Sequence, residues 1–219
     1  MQKILALTIL VALCGVACFA ADDHPKAETF FGFTYMRANS ATNVPAFSTN
    51  GGGGQLAVDF NKYVGFVMDM GAVHNGNIGG AHLDSTFINY LWGPRISLRH
   101  SRLTPYFNIL FGGMHAGTST EVNAVPVGPP TVSQPIYLPG QPTPVPPNTP
   151  VSLRAVASQT GFAMAVGGGL DIKINKTVSF RPIGLDYMMT RLQNIRDLND
   201  RNQNNLRYTT GFNFTFGAQ

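Results

Sequence analysis

The feature that most constrains this chain is a two-residue alternation that runs through nearly all of it after Glu28. At the C-terminal end Tyr208, Thr210, Phe212, Phe214 and Phe216 alternate with Arg207, Thr209, Gly211, Asn213 and Thr215. A period of two puts successive side chains on opposite faces, so the run reads as a half-buried strand with one aromatic and one small or polar face. The pattern recurs in Phe31, Phe33 and Tyr35 against Gly32, Thr34 and Met36, and in Leu56, Val58 and Phe60 against Gln55, Ala57 and Asp59. Val64, Phe66, Met68 and Met70 oppose Gly65, Val67, Asp69 and Gly71; Ile88, Tyr90, Trp92, Ile96 and Leu98 lead into Phe107, Ile109 and Phe111. Phe162, Met164, Val166, Leu170, Ile172 and Ile174 form a sixth run. A seventh, Thr177 to Arg191, breaks phase near Pro182 to Gly184, where an extra residue in a bulge lets Arg181 and Asp186 share a face,. Composition agrees: 24 Gly and 15 Pro are too many interruptions for a helical bundle, and 12% charged residues is about half the usual ~25%,.

Eight candidate strands result, each long enough for the ~9–11 residues with which a tilted strand crosses a bilayer. Their links alternate in length. Ala38 to Gly54, His74 to Leu83, Ala116 to Ser158 and Leu192 to Asn205 are long and polar. Asn61-Lys62, Arg99 to Arg102 and Asn175-Lys176 are tight. Strict long–short alternation sends every long link to one end, as in an up-and-down barrel with short periplasmic turns and long external loops. The fold class expected is therefore all-β, an eight-stranded antiparallel transmembrane barrel. The apolar faces point to lipid, with Phe30, Phe31, Tyr90, Trp92, Tyr106, Phe107, Tyr187 and Tyr208 as interfacial aromatics.

The polar faces then line the lumen, and they carry a sparse set of charges: Asp59, Asp69, Arg95, Asp171, Lys173, Arg181, Asp186 and Arg207. Eight strands leave an interior that side chains just fill. Four carboxylates and four cations in that space are expected to pair, because an isolated buried charge costs several kcal/mol. This is a structural network, and it favours a plugged lumen over a conducting pore.

Residues 1–20 have a signal-peptide layout: Lys3, an apolar Ile4 to Phe19, then Cys18 and Ala20 before the cut,. Lipidation at Cys18 and an uncleaved anchor are the alternatives. Cleavage after Ala20 leaves residues 21–219 as the barrel domain and removes both cysteines, Cys14 and Cys18, excluding disulfides and thiolate chemistry. No Lys/Arg cluster points to nucleic acid. The long third link, about 116–158, holds ten prolines between Val122 and Val151. It is expected to be a solvated, polyproline-like extension, read first as a tolerated disordered loop on a rigid barrel, with contact to a surface partner as the alternative.

With those elements in place the chain resembles the small bacterial outer-membrane barrels, the OmpA/OmpX-like eight-stranded group. The resemblance rests on Trp92-Gly93-Pro94-Arg95 with Leu103 to Phe107, on Ala165 to Asp171, and on Arg181 to Tyr187. It implies outer-membrane location, and it brings no catalytic residues with it. It also implies that the chain's partners are outer-membrane lipid and, during biogenesis, periplasmic chaperones and the barrel-assembly machinery. Two departures stand out. Gly217-Ala218-Gln219 follow Phe216 where many barrels end on Phe, and a peptidoglycan-binding domain after the barrel is not expected.

No cofactor or metal is expected. His74, His82 and His115 fall near the long-link rim with Asp84, among ordinary loop-tip residues such as Asn75-Gly76-Asn77. Thr118, Ser119 and Thr120 lie near His115 without a legible nucleophile–base arrangement. Gly51 to Gly54 lacks the Lys-Ser/Thr of a phosphate loop and is expected to give flexibility at the entry to the second strand. The leading functional expectation is a non-enzymatic, monomeric outer-membrane barrel with a structural or surface-interaction role. A soluble lipocalin-like carrier of an apolar ligand and a lipid-modifying outer-membrane enzyme are the alternatives.

Overall fold

The computed structural model describes residues 27–39, 46–78, 83–124, 151–193 and 200–217. They form eight strands: β1 (Ala27–Ala38), β2 (Phe47–Asp59), β3 (Val64–Asn75), β4 (Leu83–Ser97), β5 (Leu103–Ala124), β6 (Val151–Lys173), β7 (Val178–Gln193) and β8 (Asp200–Phe216). Each pairs antiparallel with the next, and β8 closes on β1 through Ala27↔Phe216 to Arg37↔Leu206. Closure matters physically because it leaves no strand edge with unpaired backbone groups. The signal segment, Cys18, His24, His82 and the polyproline stretch at 125–150 lie outside the described residues.

Two of the three short links are built by asparagine. Asn61 Oδ1 accepts the backbone N–H of Tyr63 at 2.8 Å and of Val64 at 2.9 Å. Asn175 Oδ1 does the same for Thr177 at 2.8 Å and Val178 at 2.7 Å. A side chain that imitates the turn's own carbonyl lets the strands reverse without glycine.

The long links are shorter than the sequence reading made them. Residues 47–54 belong to β2, and 116–124 and 151–158 extend β5 and β6 to 22 and 23 residues. Apolar alternation stops where the outer face turns polar, although backbone pairing continues to Ala124↔Val151. Gly51 to Gly54 are accordingly strand residues, paired with Thr34 to Phe31 on one side and Val73 to Met70 on the other. The bulge lies where the broken phase placed it. The β7–β8 register shifts between Arg181 and Gly184. Its carbonyls are capped from β8: Thr210 Oγ1 donates to Arg181 O at 2.9 Å and Tyr208 Oη to Pro182 O at 2.7 Å.

The outer face is an apolar belt. On β3 it runs Val64, Phe66, Met68, Met70; on β4 Ile96, Trp92, Ile88; on β5 Leu103, Phe107, Ile109, Phe111, all exposed. Phe31, Phe33, Leu185, Tyr187, Leu206 and Phe212 continue it around β1, β7 and β8. Soluble monomers rarely expose contiguous apolar patches beyond a few hundred Å². A ring of such residues round a closed barrel is instead what lipid contact requires.

Candidate functional site

The site is the lumen, and its ionic part divides into two tiers. The first, at the short-link end, starts from Glu28 on β1. Arg95 Nη1 lies 3.1 Å from Glu28 Oε2, and Arg95 Nη2 lies 3.2 Å from Asp171 Oδ2. Arg181 donates to the same Asp171 through Nε at 2.6 Å and Nη2 at 3.1 Å. Arg99, in the β4–β5 link, reaches into the barrel mouth to Glu28 at 2.8 Å and Asp59 at 2.7 Å, and donates to Lys62 O at 2.8 Å. Burial works against the charge on Arg99, but the Glu28 and Asp59 carboxylates outweigh it and raise the guanidinium above its ordinary range,.

The second tier has one guanidinium between two carboxylates. Arg207 donates to Asp69 through Nη1 at 2.7 Å and Nη2 at 3.1 Å, and to Asp186 through Nε at 3.0 Å. Asn89 and Gln55 add neutral donors to Asp69 at 2.6 and 2.8 Å. Gln55 also accepts from Arg181 Nη1 at 2.8 Å, so one amide ties the two tiers together.

Two aromatic rings hold the arginines in place. The Arg181 guanidinium lies 4.1 Å from the Phe30 ring and 4.2 Å from that of Tyr106, while Arg95 stands 4.4 Å from Tyr106. The order Phe30, Arg181, Tyr106, Arg95 is a stack in which a ring face separates two like charges and stabilises each. Such stacks leave little free cross-section in an eight-stranded barrel.

One row of the strand register runs through both tiers. Arg95, Asn108, Gly167, Asp186 and Arg207 are cross-strand partners in one continuous row over β4 to β8. Gly167 has to be glycine, since a Cβ there would meet the Asp186 carboxylate and the Leu185 carbonyl. Two residues further along each strand the row becomes Leu110, Ala165, Met188 and Asn205. From there upward the buried cluster is largely apolar, with Met36, Val73, Met114 and Ala163.

Of the residues named from sequence, Asp59, Asp69, Arg95, Asp171, Arg181, Asp186 and Arg207 are buried in this network. Lys173 is not among them: it sits exposed at the end of β6, because the inward parity of Asp171 runs out of barrel there. Glu28 and Arg99 were missed, yet both continue an inward parity, Glu28 with Thr34 and Met36, Arg99 with Arg95 and Ser97. Phe30 and Tyr106, read as interfacial aromatics, point inward for the same reason, Tyr106 being in step with Asn108 and Leu110. Five carboxylates thus meet four guanidiniums among the described residues.

A barrel with lipid-type outer walls and an ion-paired interior defines the class of small membrane β-barrels, and solved structures agree on the fold. The chain is similar to Neisserial surface protein A, at TM-score 0.57 and 11% identity, over 87% of this chain and 97% of that one. It is also similar to Ail, the attachment invasion locus protein of Yersinia pestis, at TM-score 0.51 and 14% identity, over 87% and 99%. The architecture is therefore that of the small eight-stranded outer-membrane barrels. No protein-family model and no curated protein matches the chain.

Proposed function

We propose that this protein is a non-enzymatic barrel of the bacterial outer membrane, with short links in the periplasm, long links outside, and a surface-contact or structural role. The observation that carries the reading is the inversion of polarity: charge lies inside in pairs, and the outward belt between the link-end rims is apolar. A lumen crossed by the Phe30–Arg181–Tyr106–Arg95 stack favours a plug over an ion path. The histidines favour binding or packing over catalysis, since His74 shares a hydrogen bond with Thr86 at 3.0 Å and His115 with Thr160 at 2.9 Å. Outer-membrane lipid and the assembly machinery are the partners this reading implies, together with a surface partner for the Pro-rich link.

Fractionation tests it. The expected result is a detergent-extracted outer-membrane band whose gel mobility changes on boiling, with no steady current in planar bilayers. A soluble periplasmic monomer would favour the carrier reading instead. A lipid profile that changes when His115 is replaced would favour the enzyme.

A further inference from the structure

Just beyond the apolar belt, on the outside of β3 to β6, is a hollow of about 230 Å³ that the lumen network does not use. His74, Thr86 and Gly117 form one cross-strand row along it, and Asp84, Ser119 and Val156 the next. Arg154 closes the far side, donating to Ser119 Oγ at 2.9 Å and standing 4.0 Å from Asp84, with its side chain 66% exposed. Gly117 opens the hollow: no atom lies within 4 Å of where its Cβ would stand. The outward columns below it lead directly into the belt, from His74 to Met70 and from Thr86 to Ile88.

We infer that this hollow is a binding site for the phosphorylated headgroup of a membrane lipid, whose acyl chain runs down the belt beside Ile88 and Met70. A guanidinium and an imidazole supply charge-assisted donors for a phosphate, and the Thr86 and Ser119 hydroxyls add neutral hydrogen bonds. Asp84 holds back part of the positive charge and accepts from a hydroxyl-bearing headgroup. A soluble phosphate ester would have the same polar chemistry. The lipid is preferred because the hollow is continuous with an apolar wall, including Val156 at 71% exposure. The inference rests on the membrane-spanning reading above.

The test is native mass spectrometry of the full chain in non-ionic detergent with dioleoyl phosphatidic acid, diolein and inorganic phosphate. The expected result is one phosphatidic acid retained about tenfold better than diolein, the size of one charge-assisted hydrogen bond. Arg154→Gln and Gly117→Leu, which fills the hollow without touching the lumen, are each expected to weaken retention about tenfold while the heat-modifiable fold persists. Equal retention by G117L, or of diolein, overturns the site. Displacement by inorganic phosphate at equal concentration overturns the lipid assignment. A folded, detergent-requiring barrel that shows no discrimination overturns the site alone, whereas a chain soluble without detergent overturns the membrane reading with it.

Discussion

Two adjacent rows of the same lumen are built on opposite principles. The row through Arg95, Asn108, Gly167, Asp186 and Arg207 is ionic, and with Asp69 counted its two guanidiniums face two carboxylates. The row through Leu110, Ala165, Met188 and Asn205 is nearly apolar and close-packed. Both exclude water, but by different means. The ionic row depends on geometry, because each guanidinium must meet its carboxylates with good hydrogen bonds or the desolvation cost is uncompensated. The apolar row depends on volume, and tolerates any side chain of the right size. Specificity of register therefore resides in the short-link half, where one wrong partner leaves a buried charge.

Substitutions in each row test that contrast. The largest effect is expected from Arg207→Met, which leaves Asp69 and Asp186 without a guanidinium; a loss of about 3–5 kcal/mol should appear in urea titrations of the folded barrel in micelles,. Leu110→Ala, in the apolar row, should cost about 2–4 kcal/mol by the same measurement, from lost contacts and the cavity left behind,. Gln55→Leu should cost about 1–3 kcal/mol by removing both hydrogen bonds of the inter-tier amide,. Smallest is Asn108→Leu. Both polar atoms of its buried amide are without a hydrogen-bond partner. An apolar replacement of similar shape is thus expected to leave the midpoint unchanged or raise it, and a marked drop would show that the Asn108 amide takes part in the polar network of its row.

Much of this was legible from alternation alone, because side-chain parity in a strand is a geometric necessity and eight phased runs leave few closures. Parity also picked out Asp69, Asp171, Asp186 and Arg207 without any contact being known. It failed at strand ends. Lys173 has the right parity but lies past the wall, whereas Arg99 lies past the strand and still bends back to Glu28 and Asp59. Tyr106 was lost to a chemical habit, the expectation that aromatics of such barrels gather at the lipid interface, when its parity already placed it inside. Pairing partners such as Arg181 with Gln55, 126 residues apart, depend on barrel closure and lumen depth, which no local pattern encodes. The hollow at Gly117 was illegible for the same reason: it is made by four strands and by the absence of a side chain.

Whether the apolar face lies in lipid is reported directly by one residue. Trp92 is the sole tryptophan of the chain, 48% exposed on the outward face of β4, between Met68 of β3 and Phe111 of β5. Its fluorescence in bilayers containing brominated acyl chains measures whether that face touches hydrocarbon. The expected result is a blue-shifted emission strongly quenched by the brominated lipid and little affected by aqueous iodide. Quenching by iodide with no response to brominated lipid would contradict it.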